Sequence, residues 1–248
     1  MSVSAPTTRN WLLQAMSPDD LALVTPHLHH VPLKVKQTLE APNKQIKYNY
    51  FMDDGLSSII AIGAGERRLE VGIIGRDGVT GLAVIMGADR SPNETFIRVA
   101  GEGSRIESAK LRQLMRRSQT LQELLLNYVH AFTIQTAHTA LANGIGKLEE
   151  RLARWLLMAN DRLDGNVVPL THEFLSLMLG VRRAGVTVAL HLLAQKGLIS
   201  LSRGRIEIVD RAGLEKGTKG TYGPAEAVGR RIFSPKKQAR RKSPVQRG

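Results

Sequence analysis

Residues 168–210 leave the chain least freedom, because their turn residues, apolar spacing and basic positions fit one local arrangement. Thr171 is placed to cap a helix through Glu173, Phe174, Leu177 and Met178, and Gly180 follows as a tight turn. A second helix starts near Arg182, with Val186, Ala189, Leu190 and Leu193 as its inward face. Lys196-Gly197-Leu198-Ile199 and Leu201, the turn Ser202-Arg203-Gly204-Arg205, and Ile206-Glu207-Ile208-Val209 read as a two-stranded wing. Helix, turn, helix and hairpin in that order predict a winged helix-turn-helix, which lays its second helix in the major groove of DNA. The expected DNA contacts are Arg182, Arg183, Thr187, Val188 and His191 on that helix. Thr171 is expected near the backbone, with Arg203 and Arg205 on adjacent phosphates.

The formal charge of +13 agrees with a polyanionic partner, nucleic acid before membrane. Part of the excess is concentrated at the end: residues 229–248 hold Arg230, Arg231, Lys236, Lys237, Arg240, Arg241, Lys242 and Arg247 and no acidic residue. That tail, from 213 to 248, reads either as a flexible solvated extension or as an arm that grips phosphates. The absence of cysteine excludes disulfides, thiolate zinc sites, cysteine-ligated iron–sulfur clusters and a cysteine nucleophile. With no uncharged apolar run of about 18 residues and no leader-type apolar core, the chain is expected in the cytoplasm.

Upstream, Ser17-Pro18-Asp19-Asp20 supplies a cap, an N1 proline and carboxylates for a helix ending near Leu28. Residues 31–106 change to short β-rich runs: Ser57-Ser58-Ile59-Ile60-Ala61-Ile62, Leu69-Glu70-Val71-Gly72-Ile73-Ile74 and Thr95-Phe96-Ile97-Arg98-Val99. Glycine and proline turns separate them, which predicts a small antiparallel barrel or sandwich. A short helix over 110–117 then leads into a long one. There Leu121, Leu125, Tyr128, Phe132, Gln135, Thr139 and Ala142 follow alternating steps of four and three. Such a heptad seam calls for a partner helix and predicts self-association through Leu121, Leu125, Tyr128 and Phe132. Asn143-Gly144 and Gly146 mark a hinge before the next helix.

The chain resembles the Crp/Fnr family of transcription regulators at Glu149-Glu150-Arg151-Leu152-Ala153-Arg154-Trp155-Leu156-Leu157, Leu170-Thr171-His172-Glu173-Phe174-Leu175 and Met178-Leu179-Gly180-Val181-Arg182-Arg183. Leu69-Glu70-Val71-Gly72-Ile73-Ile74-Gly75-Arg76-Asp77-Gly78 and Gly87-Ala88-Asp89-Arg90-Ser91-Pro92 extend the likeness over residues 10–215. The resemblance implies an α+β chain: an N-terminal antiparallel jelly roll of the cyclic-nucleotide-binding type (10–118), a long dimerisation helix (119–143), and a DNA-binding winged helix-turn-helix (147–212). It further implies a homodimer on a palindromic double-stranded DNA operator, with RNA polymerase as a candidate partner and no membrane association.

The family's cyclic AMP site uses a Gly-Glu pair for ribose and an Arg-Ser pair for phosphate, and both are altered. Gly81-Leu82 lacks the carboxylate, and Arg90-Ser91 lies about two residues early. Any remaining pocket, for an effector of unknown identity, is expected between barrel and long helix, around Gly81, Leu82, Arg90 and Thr136, with Thr133 and Thr139 adding hydroxyls. His27, His29, His30, His130 and His138 lack partners at ligand spacing, so neither metal nor cofactor is expected. Gly144-Ile145-Gly146-Lys147-Leu148 is no phosphate-binding loop and Gly63-Ala64-Gly65 no dinucleotide turn, so no enzyme is indicated. A non-specific DNA binder relying on the basic tail is the alternative. In the second helix, where the family carries Arg, Glu and Arg, this chain has Arg183, Ala184 and Val188. Arg183 is therefore expected to read guanine, while the other two can only touch a thymine methyl or leave an edge unread.

Overall fold

The computed structural model describes residues 8–65 and 67–233. After α1 (Trp11–Gln14) comes α2 (Pro18–Val24), capped by Ser17, whose hydroxyl accepts from the Asp20 N–H at 3.1 Å. The helix tightens to a 3-10 turn at Thr25–His27 and so ends next to Leu28, where Pro26 has no N–H to continue the α-helical pattern.

Two antiparallel sheets follow. One has the order β1 (His29–Leu33), β7 (Gly101–Glu107), β3 (Tyr48–Met52). The other runs β2 (Thr38–Glu40), β6 (Glu94–Val99), β4 (Leu56–Ile62), β5 (Arg68–Ile74). Leu33, Tyr50 and Met52 from the first sheet form one core cluster with Ile59, Ile74 and Ile97 from the second, so the sheets pack as a sandwich and not as a closed barrel.

Short helices α3 (Leu82–Ile85) and α4 (Ser108–Arg117) precede α5 (Gln119–Ile145). The heptad seam of α5 turns inward. Leu121, Leu125 and Tyr128 share a core with Leu12, Leu13, Phe51, Val79 and Leu111, and Phe132 enters the sandwich core. Gly72 and Gly78 leave room for the rings of Phe132 and Tyr128; a side chain at either position would strike them. The four residues expected to meet a partner helix are thus buried within their own chain. The periodicity reported a buried stripe correctly, but what it packs against is the chain's own helices α1 and α4 and the sandwich. The open side of α5 carries Leu126, His130, Ala137, Leu141 and Ile145, of which Ile145 is 75% exposed.

The C-terminal part comprises α6 (Leu148–Asn160), β8 (Val167–Val168), α7 (His172–Leu179), α8 (Arg183–Gln195), β9 (Ile199–Ser202) and β10 (Arg205–Ile208). β8 joins the hairpin, making the wing three-stranded in the order β8-β10-β9, one strand more than the sequence suggests. Residues 213–233 do not form a loose tail: α9 (Arg211–Gly217) packs on α6, and α10 (Pro224–Phe233) runs along α5. Trp11 and Phe233 meet edge to face at 5.7 Å. Arg230 and Arg231 belong to α10, whereas Lys236, Lys237, Arg240, Arg241, Lys242 and Arg247 lie outside the described residues. Among the described residues, no single helix is long and apolar enough to cross a membrane.

Candidate nucleic-acid interface

Local chemistry sets the two helices of the C-terminal motif. Thr171 Oγ1 accepts from the Phe174 N–H at 3.3 Å, fixing the start of α7. Gly180, at φ 63°, closes the helix in the left-handed region, and the Val181 N–H reaches back to Ser176 O at 3.0 Å. The axes of α7 and α8 turn by 105°, within the range of helix-turn-helix motifs. Val186, Ala189, Leu190 and Leu193 are buried, as their spacing predicts, against Trp155, Leu156, Phe174 and Ile206 among others.

That burial leaves Arg182, Arg183, Ala184, Val188 and His191 on the open side of α8. Thr187 is half-buried and differently employed: its hydroxyl donates to Arg183 O at 3.1 Å and lies 3.1 Å from His172 Nδ1, tying α8 to α7. Arg203 and Arg205, both exposed, flank Gly204 at the tip of the β9–β10 hairpin. Thr171, His172, Arg183, Arg203 and Arg205 line a cleft of ≈ 300 Å³ between the helix starts and the wing, and no carboxylate lines it. Among the described residues, no ion pair neutralises Arg182, Arg183, Arg203 or Arg205. The arrangement presents free guanidinium groups beside a protruding helix. Such a surface can hold phosphates while the helix reaches base edges.

The expected effector residues do not surround a common cavity. The Gly81 N–H donates to the buried Glu40 carboxylate at 2.8 Å, and a Cβ at Gly81 would collide with the Asn49 side chain. Asn49 in turn donates to Thr80 O at 2.7 Å and accepts from Ser108 Oγ at 2.9 Å. Burial pushes the Glu40 carboxyl up, the Gly81 N–H pulling the other way. Leu82 begins α3 and is half-buried, while Arg90 stays exposed near Asn43 O and Asp89. Thr136 donates to Phe132 O at 3.1 Å, and Thr133 and Thr139 bond their own helix in the same way. Glu40 and Asn49 fill this region from strands distant in sequence, which local motifs cannot reveal.

The sequence also gave no sign of the junction between sandwich and motif. Trp155 Nε1 donates to Glu70 Oε1, and Glu70 Oε2 is buried without a partner. The Arg98 guanidinium lies 3.3 Å from the Phe174 ring centroid. Burial pushes the Glu70 carboxyl up to about 7, against the Trp155 hydrogen bond and the charges of Arg98 and Arg154. Beside this cluster a cleft of ≈ 1080 Å³ separates β2 and β6 from α7, with Lys36, Arg68, Arg98 and Arg182 on its walls.

Residues 150–216 match the Crp-like helix-turn-helix domain. No curated protein matches the chain. Among solved structures, a transcriptional regulator of the Crp/Fnr family from Eubacterium rectale is 18% identical with a TM-score of 0.65, covering 84% of this chain and 98% of its own. FixK2 from Bradyrhizobium japonicum is 16% identical with a TM-score of 0.67, covering 76% and 96%. The c-di-GMP-responsive regulator CLP from Xanthomonas campestris is 18% identical with a TM-score of 0.60, covering 77% and 99%. At these identities the structures share a fold with the chain, and the domain match concerns its DNA-binding part.

Proposed function

We propose that the chain, whose residues 150–216 match the Crp-like helix-turn-helix domain and whose fold is shared with Crp/Fnr regulators, is a regulator of that type and binds an inverted-repeat DNA site as a homodimer. The carboxylate-free cleft that brings Thr171, Arg183, Arg203 and Arg205 together carries the reading. In this reading α8 enters the major groove, Arg183 takes a guanine edge at the groove wall, and Arg203 and Arg205 hold flanking phosphates. Arg182 and His191 supply further contacts, and Thr187 acts by positioning α8.

Dimerisation uses the open face of α5 around Leu126, His130, Ala137 and Leu141, since the inner seam is occupied by the chain's own core. Cyclic AMP is not the effector, because Leu82 stands where the ribose-binding carboxylate belongs and Arg90 lies off the phosphate position. With duplex DNA as partner, the protein works in the cytoplasm. Replacing Arg203 and Arg205 together by alanine tests the assignment. Binding to all duplexes should weaken, and the salt dependence should flatten by about 0.9 per lost phosphate contact. An unchanged salt slope would remove the wing from the interface.

A further inference from the structure

Ala184, Val188 and His191 succeed one another at steps of four and three and form the crest of α8, diametrically opposite the buried Val186, Ala189, Leu190 and Leu193. Arg183 stands off this crest, on the flank that faces the wing cleft. Val188 is 60% exposed and Leu192, on the other flank, is 38% exposed. The crest of α8 therefore exposes the apolar Ala184 and Val188, with the polar His191 one turn beyond, within a surface whose charged members are Arg182, Arg183, Arg203 and Arg205.

A solvated valine at the crest of a helix that must enter a polar groove finds one apolar group there, the thymine 5-methyl, because the other base edges in the major groove present hydrogen-bond donors and acceptors. Alanine at 184 keeps the neighbouring position shallow, so the helix can approach the base pairs closely. The flanking guanidinium groups complement the phosphates on either side and supply the attraction that an apolar crest cannot.

We propose that Ala184 and Val188 read thymine 5-methyl groups, so that each half-site carries thymine at the base steps beneath the crest of α8. The inference rests on the proposed major-groove placement of α8 and adds the base identity that the helix selects. It gives Val188 a specificity role distinct from that of Arg183. Contact with a methyl discriminates thymine from uracil, which has the same hydrogen-bonding edge, and this separates methyl readout from any polar contact to the same base.

The experiment uses the full chain and a duplex enriched from a random pool. Each thymine is replaced in turn by deoxyuridine, symmetrically in both half-sites, and the dissociation constant is measured. At one or two positions per half-site, loss of the methyl should weaken binding by about fourfold for each methyl removed, the value of one buried methylene-sized group. Val188→Ala keeps an exposed helix position compatible with the fold, and it should reduce the thymine-to-uracil ratio at one of those positions toward unity. Deoxyuridine without effect at every position of an enriched site overturns the proposal while leaving sequence-specific binding intact. So does a ratio that Val188→Ala does not change. A pool from which nothing is enriched removes the major-groove reading and the proposal with it.

Discussion

Arg183 is the residue on which base recognition and backbone attraction separate most sharply. Arg183→Ala should cost about 1–3 kcal/mol on the cognate duplex and relax preference at one position per half-site. Equal weakening of cognate and random duplexes would make Arg183 a phosphate contact, in line with its place beside Arg203 and Arg205. Glu70 gives a second prediction at this scale. Its carboxyl, buried among Trp155, Arg98 and Arg154, is raised from 4.5 to about 7, so the folded chain favours the neutral form. Stability from this group is complete below pH 4.5 and is lost as pH rises through 7, up to about 3 kcal/mol. Glu70→Gln, which cannot ionise, should melt higher than the parent at pH 8 and lose that advantage near pH 5. Parallel melting curves across that range would contradict the assignment. Arg183 was legible because its position relative to Gly180 is local. Glu70 was not, because its partners Trp155 and Arg98 come from α6 and β6.

Elements were legible where one pattern dominated. β4, β5 and β6 announce themselves through β-branched and aromatic runs, whereas β1, with His29 and His30, and β7, with Gly101 and Gly103, have no such alternation. The α7–α8 pair and the hairpin were legible because cap, glycine turn and inward face all lie within some forty residues. For α5 the heptad was visible but its partner was not, since periodicity defines a buried stripe without naming what buries it. Two substitutions distinguish the faces. Leu125→Ala removes a fully buried side chain and should cost about 2–5 kcal/mol of stability. Leu126→Glu with Leu141→Glu, on the open face, should give a folded monomer in sedimentation, with circular dichroism unchanged and a melting temperature that no longer depends on protein concentration. Monomers from Leu125→Ala with unchanged melting would restore the inner seam as the dimer interface. Calorimetry with cyclic AMP should detect no binding at micromolar concentrations; a low-micromolar dissociation constant would contradict the reading of Leu82 and Arg90.

Across the whole molecule, the sandwich and the helix-turn-helix part share one core: Leu56 and Ile73 of the sandwich lie in the same cluster as Trp155, Phe174, Leu190 and Ile206. α10 adds a second connection by returning from the DNA-binding part to lie along α5. The central claim is that α8 reads sequence, twice, in a symmetric site. Selection of duplexes from a random pool by the full chain tests it directly. An enriched inverted repeat, its half-sites about one helical turn apart, is the predicted result. Uniform recovery of all sequences, or enrichment of a single asymmetric site bound by a monomer, would contradict it.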